Sequence, residues 1–270
     1  MINPKKNMNT KAVIYHITDW LKSYAKNAKI EGFVVGVSGG IDSAVTSTLC
    51  AKTGLKVYCL EMPIHQDVKH ISRAQEHLNN LETNYNNVTT ARVDLSPVFE
   101  ALKAEMTAEG SADEIEMALA NTRARLRMTT LYYYAGLKGF LVVGTGNKVE
   151  DFGVGFYTKY GDGGVDLSPI ADLLKSEVYE LGQALGVPES IMQAPPSDGL
   201  WGDARSDEAQ IGASYPELEW AMANNDKGKV ASDFNGREQE IFKIFIKHNT
   251  ANSHKMNPIP VCEVSDTIKH

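Results

Sequence analysis

An apolar run over residues 32–37 stops abruptly at Ser38-Gly39-Gly40, and a helical pattern follows over residues 43–52. A short uninterrupted apolar run is typical of a strand that is covered on both faces of a sheet. Glycines next to a serine allow the tight turn that such a junction needs. The sequence therefore predicts a buried strand, a glycine loop and a helix in direct succession.

The same alternation continues along the chain. Strands are predicted over 32–37, 56–61, 88–95 and 140–145. Helices are predicted over 9–28, 43–52, 67–81, 97–106, 112–137 (with a break or bend inside) and 171–185. The last third is predicted to be helical with an irregular tail. Strands alternating with helices indicate a doubly wound, mostly parallel sheet flanked by helices, an α/β fold, here expected as one domain over 1–270.

Composition limits the possible partners and locations. The formal net charge of -7 argues against a nucleic-acid partner, which would need a basic surface. No apolar run approaches the roughly 20 residues of a membrane span, and the N-terminus lacks the apolar core of a secretory signal. The three cysteines have no C-x-x-C spacing, which disfavours a zinc or redox pair. We expect a cytoplasmic protein without nucleic-acid or membrane partners.

The glycine loop carries the strongest chemical signal. Its N–H groups at the start of a helix can bind an anion, and its two serine hydroxyls can donate to phosphate oxygens. Asp42 would repel phosphate unless Mg²⁺ lay between the two, since Mg²⁺ prefers oxygen ligands. The predicted ATP-binding residues of the loop are Gly36, Val37, Ser38, Gly39, Gly40, Ile41, Asp42 and Ser43.

This loop is neither a Walker loop nor the dinucleotide G-x-G-x-x-G sequence. Its S-G-G-x-D-S pattern resembles the pyrophosphate loop of the N-type ATP pyrophosphatases. That resemblance implies a Rossmann-like fold of the adenine-nucleotide alpha hydrolase type and a reaction that adenylates a substrate oxygen. An ordinary glycine turn that caps a helix is the alternative for the loop alone.

Three further segments narrow the resemblance. Residues 144–150 (G-T-G-N-K-V-E), 155–166 (G-F-Y-T-K-Y-G-D-G-G-V-D) and 121–128 (N-T-R-A-R-L-R-M) are similar to motifs of the NAD synthetases. The similarity extends over about 32–254. It implies that ATP, deamido-NAD and ammonia react to give AMP, pyrophosphate and NAD, with Mg²⁺ as the metal. Free ammonia is expected because no glutaminase segment accompanies this one.

The resemblance also implies roles for individual residues. Asp42 and Lys175 would be catalytic, and Asp42 and Glu150 would hold Mg²⁺. ATP would additionally contact Thr145, Lys175 and Ser197. Deamido-NAD would contact Asn121, Arg125, Tyr132, Lys159, Asp162, Asp166, His254 and Lys255.

Some of these assignments have alternatives. Arg125 could belong to a solvated helix face, and His254 could be an ordinary surface histidine. This chain has one residue more than the family between Glu150 and the G-F-Y run, so Asp151 could be the metal ligand instead. Among functions, a tRNA-modifying adenylating enzyme or a non-catalytic nucleotide-binding module are the competing hypotheses.

Two expectations concern larger assemblies and motions. NAD synthetases of this size are homodimers, and the helix over 112–137 is a plausible interface, with Met117, Leu126 and Tyr133 as contacts. The polar segment 199–206 follows two prolines and is predicted to close over bound ATP as a lid.

Overall fold

Four parallel strands form a single sheet in the computed structural model, which describes residues 8–66, 68–196 and 206–270. The strands, in the spatial order β3-β2-β1-β4, are β1 (Gly32–Gly36), β2 (Lys56–Glu61), β3 (Val88–Arg92) and β4 (Leu141–Val143). Val35 of β1 pairs with Cys59 of β2 on one side and with Val143 of β4 on the other. All four strands therefore end at the same edge of the sheet, where α/β proteins bind their ligands.

Helices connect the strands and cover both faces of the sheet. In the described ranges they are α1 (Thr10–Ala28), α2 (Ile41–Lys52), α3 (Val68–Asn84), α4 (Ser96–Glu105), α5 (Ala112–Lys138), α6 (Lys175–Leu185), α7 (Glu189–Met192), α8 (Asp207–Ile211), α9 (Tyr215–Asn225), α10 (Gly236–Met256) and α11 (Asp266–Lys269). The predicted doubly wound, Rossmann-like α/β fold is confirmed. No helix in these ranges is both long and apolar enough to span a membrane.

Side chains of β1 alternate between two cores because successive residues of a strand point to opposite faces. Phe33 and Val35 pack in one core with residues of α1, α2, α3 and α6. Val34 packs in the other core with residues of α4 and α5. This explains why the run is apolar throughout, since neither face of β1 contacts water.

A third apolar cluster lies next to the sheet. It joins a π-helical turn, Val149–Val154, to α8, α9 and α10 through buried side chains that include Leu218, Phe242 and Phe245. The turn follows β4 closely, so this cluster fixes the backbone on one side of the strand ends.

Several predicted boundaries were wrong. Helix α2 begins at Ile41 rather than Ser43, since Gly40 has an extended backbone and is the N-cap. Helix α5 is continuous, with no break, and ends where Gly139 adopts a left-handed conformation. Helix α6 begins only at Lys175 rather than at 171. The π-helical turn was not predicted, because a run rich in glycine and charge has no clear helical period.

Candidate active site

One cavity opens at the edge where the strands end, and the glycine loop forms its floor. All eight predicted loop residues, 36–43, line this cavity. Among the other predicted site residues, the lining includes Thr145, Glu150, Asp162 and Lys175. The parallel topology explains this grouping, because residues that follow different strands meet at a common edge.

Two serine hydroxyls fix the shape of the loop. Ser43 Oγ accepts a hydrogen bond from the Ser38 backbone N–H at 3.2 Å and donates to the Gly40 carbonyl at 3.0 Å. Ser38 Oγ accepts from the Gly40 N–H at 3.2 Å and lies 3.2 Å from Ser43 Oγ. The loop is thus held at the N-terminus of α2, where helix N–H groups favour anions.

Lys175 lies between the two predicted metal-binding carboxylates. Its Nζ donates to Asp42 Oδ2 at 2.5 Å and to Glu150 Oε1 at 2.9 Å, and its side chain is 4% exposed. Asn147 Nδ2 donates to Asp42 Oδ1 at 3.1 Å, and the Tyr215 hydroxyl donates to Glu150 Oε1 at 2.5 Å. Three residues that lie far apart in the sequence thereby converge on one pair of carboxylates.

The charges in this cluster shift each other's pKa. Burial raises the pKa of the Asp42 carboxyl, and the Lys175 ammonium opposes that rise. Burial likewise acts to raise the pKa of Glu150, but Lys175 and the Tyr215 hydroxyl outweigh it and lower the pKa. Burial would lower the pKa of Lys175, yet the two carboxylates raise it above its ordinary value. The lysine is therefore a cation at neutral pH.

These two carboxylates fit a magnesium ion. The Lys175 ammonium already bridges one oxygen of Asp42 and one of Glu150, which shows that both oxygens can face a single cation. Mg²⁺ is usually bound by one or two carboxylates, with phosphate oxygens and water as further ligands. In the described ranges no group of three or more His, Cys, Asp or Glu converges as a metal site. A metal here would need ligands from the substrate.

Asp151 lies in the same cavity, on the unpredicted π-helical turn. Burial and the neighbouring carboxylates Glu150 and Asp162 raise the pKa of Asp151 to about 8. A Cβ atom at Gly146 would lie 2.2 Å from Asp151 Oδ1, so a larger residue at this position would displace the Asp151 carboxylate. Lys175 forms ion pairs with Asp42 and Glu150, whereas the described structure shows no ion pair between Lys175 and Asp151. This geometry favours Glu150 over Asp151 as the partner of Asp42.

Most residues predicted to bind deamido-NAD lie beside the cavity rather than in its lining. Thr158 Oγ1 donates to Asn121 Oδ1 at 2.7 Å, and Arg125 Nη2 donates to the Lys159 carbonyl at 3.3 Å. Lys159 Nζ in turn donates to the His254 carbonyl at 2.6 Å. The structure thus places these side chains around the loop 155–164, with α5 on one side and α10 on the other.

The remaining predicted residues make similar contacts. Lys255 Nζ donates to the carbonyls of Gly155 and Tyr157 at 2.9 and 2.8 Å. Tyr132 and Asp166 pair at 2.9 Å, and Asp166 Oδ2 accepts from the Val142 N–H at 2.8 Å, which ties them to β4. Of the eight residues only Asp162 lines the cavity. Ser197 and residues 199–205 of the predicted lid lie outside the described residues.

Comparison with known proteins gives the family. The sequence profile described as NAD synthase matches residues 13–259. The chain belongs to the NAD synthase family. One relative, the NH(3)-dependent NAD(+) synthetase of Finegoldia magna, is 37% identical over 82% of this chain and 88% of its own length.

Solved structures of two NAD synthase relatives superpose over nearly the whole chain. NMN synthetase from Francisella tularensis gives a TM-score of 0.82 at 31% identity, covering 96% of this chain and 100% of that one. The NH3-dependent NAD synthetase from Campylobacter jejuni, solved in complex with the nitrate ion, gives 0.75 at 26% identity, covering 95% and 100%.

Sequence reasoning missed several residues that line the cavity or contact its carboxylates. Asn147 stands inside a recognised motif but received no role, and Tyr215 reaches Glu150 from 65 positions away. Arg73 and Arg127, from α3 and α5, also line the cavity. Arg127, two positions after Arg125 on α5, received no role, although its Nε donates to the Met62 carbonyl at 3.0 Å. The motif could have suggested Asn147, but nothing local marks the others.

Proposed function

We propose that this chain is an ammonia-dependent NAD synthetase, a ligase that converts deamido-NAD to NAD with ATP as co-substrate. Its membership of the NAD synthase family and its NH(3)-dependent relatives support this assignment. The observation that carries the chemistry is the convergence of Asp42, Glu150 and Lys175 beside the glycine loop in one cavity. Such a cluster suits phosphoryl chemistry, where positioning and charge stabilisation supply most of the catalysis.

The chemistry begins from an unreactive group. A nicotinate carboxylate resists ammonia, because its negative charge repels nucleophiles and its oxygen leaves poorly. One carboxylate oxygen attacks the α-phosphorus of ATP, the bond from that phosphorus to the bridging oxygen breaks, and pyrophosphate leaves with the electron pair. Ammonia then adds to the carbonyl carbon, and AMP departs with the carboxylate oxygen.

Named residues have distinct parts in this scheme. The glycine loop, residues 36–43, would bind the phosphates through backbone N–H groups and the Ser38 and Ser43 hydroxyls. Asp42 and Glu150 would hold Mg²⁺, which when bound neutralises phosphate charge. Lys175, with Thr145 beside it in the cavity lining, would stabilise charge on the α-phosphoryl group. Ser197 remains a proposed ATP contact.

Deamido-NAD would enter from the side of the loop 155–164. Asp162 lies in the cavity lining, and Lys159 and Lys255, next to His254, provide a cationic edge nearby. Cations of this kind suit a ligand that carries a pyrophosphate. Asn121, Arg125, Tyr132 and Asp166 would act mainly by holding the loop and β4 in place.

Heavy-oxygen labelling tests the adenylated intermediate. Deamido-NAD labelled in the nicotinate carboxylate is incubated with ATP, magnesium and ammonia, and the products are analysed by mass spectrometry. We expect AMP that carries one label, together with pyrophosphate. Formation of ADP, or of unlabelled AMP, would rule the scheme out.

A second candidate function is the same amidation on the smaller nicotinate mononucleotide. The observation that favours it is the NMN synthetase of Francisella tularensis, whose structure is similar over 96% of this chain at 31% identity. The reacting carboxylate and the adenylation chemistry are identical for both substrates. Only the part of the site that would contact the AMP half of deamido-NAD differs.

Competition between the two substrates separates these candidates. Both substrates are supplied at equal concentration with limiting enzyme, and NAD and NMN are measured by chromatography. A larger kcat/KM for deamido-NAD supports the first function, and a larger value for the mononucleotide supports the second. An enzyme that turns over neither but requires tRNA would point to the tRNA-modifying alternative.

The chain would act as one domain, as a homodimer and in the cytoplasm, where ATP and pyridine nucleotides are metabolised. The dimer is supported by apolar side chains of α5 that face solvent in the single chain, Met117 at 49% and Tyr133 at 64% exposure. Leu126, predicted as a third contact, instead packs against the core on the α5 face of the sheet.

A further inference from the structure

The first turns of α3 lie directly on the glycine loop. Gly39 forms the part of the loop nearest to α3, with a left-handed φ of 81°. A Cβ atom at this position would lie 2.7 Å from the His70 carbonyl oxygen and 3.0 Å from the Ala74 nitrogen. The backbones are therefore in contact, and side chains of this part of α3 line the same cavity as the loop.

Arg73 is the cationic side chain at this contact. Its Nε donates to the Gly39 carbonyl at 3.3 Å, and its Nη2 donates to His70 Nδ1 at 2.9 Å. Guanidinium nitrogens carry only donors, so His70 Nδ1 must be the acceptor and is unprotonated. Both Arg73 and His70 line the cavity. The guanidinium is thus fixed at the loop by two contacts, neither of which uses its Nη1 group.

The charge balance of the cavity gives Arg73 its importance. The charge of Lys175 is already offset by Asp42 and Glu150. Within the ranges that the structure describes, no carboxylate forms an ion pair with Arg73. The Arg73 charge is therefore not neutralised by these residues, whereas ATP would bring several negative charges to the loop.

We propose that Arg73 binds the β- and γ-phosphate oxygens of ATP and holds the pyrophosphate as it leaves, with His70 as the positioning residue for the guanidinium. The planar fork of arginine matches two phosphate oxygens at once, which an ammonium cannot do. In the adenylation step the bond between the α-phosphorus and the bridging oxygen breaks. Arg73 stabilises the electron pair that the departing pyrophosphate retains.

The inference rests on the proposed function for its place in the reaction, but binding tests it without turnover. Inorganic pyrophosphate with magnesium is titrated into the protein by calorimetry, for the unchanged chain, Arg73→Gln and Arg73→Lys. We expect Arg73→Gln to weaken pyrophosphate binding about 10-fold or more, as loss of a charge-assisted contact implies. Arg73→Lys keeps the charge but not the fork and should fall between the two.

A matched control and a kinetic measurement separate binding from a structural role. Lys69→Gln removes one positive charge from an exposed position of the same helix, outside the cavity lining, and should leave pyrophosphate binding unchanged. In turnover, Arg73→Gln should raise the KM for ATP and the inhibition constant of pyrophosphate together, while the KM for ammonia stays constant. Equal changes in all KM values would indicate a merely structural role.

Two results would overturn the inference. One is pyrophosphate binding by a folded Arg73→Gln or Arg73→Lys protein that equals that of the unchanged chain. The other is an unchanged chain that amidates its substrate but does not bind pyrophosphate. If the unchanged chain binds pyrophosphate through Arg73 but makes neither NAD nor NMN, the proposed function fails and the inference stands.

Discussion

Buried charged side chains are concentrated around the cavity. In the described ranges, Glu61, Lys175 and Asp207 are each at most 5% exposed and line the cavity. Burial of a charge costs several kcal/mol unless partners compensate, so such groups are retained where their charge has a use. Lys175 has two carboxylate partners, whereas Glu61 Oε1 has no hydrogen-bond partner among the residues that the structure describes.

Asp42 gives the first prediction. Asp42→Asn keeps the shape of the side chain but removes the charge that would hold Mg²⁺ and that pairs with Lys175. We expect kcat/KM to fall by about 100-fold or more, in line with the loss of one preorganised electrostatic contact, while the protein stays folded. Asp172→Asn is the control, because that carboxylate is exposed and pairs with Lys148. Normal turnover by Asp42→Asn at ordinary magnesium concentrations would contradict the metal assignment.

His77 gives a prediction about pH. Burial lowers the pKa of His77 from 6.5 to about 4, and its Nε2 lies 2.8 Å from Ser47 Oγ. The unfolded chain therefore takes up the proton first, and stability falls as pH drops from 6.5 towards 4. The loss from this residue is about 3 kcal/mol at most.

Urea unfolding between pH 7 and pH 4.5 measures this effect. His77→Gln should lose less stability over that range than the unchanged chain, and the exposed substitution His16→Gln should behave like the unchanged chain. The same pH slope for all three proteins would show that His77 is not the residue that titrates.

At the scale of elements, the loop 155–164 and α5 hold each other in place. Gly161 is buried where the two meet, and a Cβ atom there would lie 2.8 Å from Thr158 Cγ2 and 2.9 Å from Ala124 Cβ. Asn121 and Arg125, which also belong to α5, form hydrogen bonds to the same loop. The position of Asp162 in the cavity therefore depends on this contact.

Two alanine substitutions in this region should act in opposite directions. Gly161→Ala overpacks the contact and should lower the unfolding free energy by about 1–3 kcal/mol and raise the KM for the pyridine nucleotide. Gly136 lies in α5, and a Cβ atom there would have nothing within 4 Å. Gly136→Ala should therefore raise the unfolding free energy by about 0.5–1 kcal/mol. Chemical denaturation measures both. A neutral Gly161→Ala would mean that the loop can move away from α5 without cost.

The alternation of strands and helices was predictable because apolar runs and glycine breaks are local signals. The grouping of Asp42, Glu150 and Lys175 followed only from motif resemblance, since these residues lie 108 and 25 positions apart. Tyr215 and Arg73 were not predictable, because packing of distant helices brings Tyr215 to Glu150 and Arg73 to the glycine loop. Likewise, nothing local indicates that Arg125 and Lys159 would contact backbone carbonyls.

At the scale of the whole molecule, several apolar side chains face solvent in the single chain. Tyr133 and Leu137 of α5 are 64% and 68% exposed, and Ile259 and Val261 of the C-terminal segment are 65% and 79% exposed. Exposed apolar side chains on one helix are the kind of surface that a two-fold interface covers. This surface supports the homodimer proposed above.

Light scattering provides the corresponding test. We expect a mass of twice the 29.6 kDa chain at micromolar concentration. Tyr133→Asp should shift the population towards monomers, because it places a charge in the apolar interface. Lys11→Asp, on the exposed part of α1, is a control that should leave the mass unchanged. A fully active unchanged chain with the mass of one copy would disprove the dimer.

The ion pairs of Lys175 have a practical consequence for purification and storage. The Lys175 ammonium forms ion pairs with both Asp42 and Glu150. The two carboxylates are therefore still compensated when magnesium is withdrawn. Treatment with EDTA should therefore abolish turnover but leave the melting temperature unchanged. Lys175→Met leaves the carboxylates uncompensated, so this variant should melt at a lower temperature in EDTA and recover when magnesium chloride is restored. The unchanged protein is thus expected to remain folded in chelating buffers that would destabilise the variant until magnesium is restored.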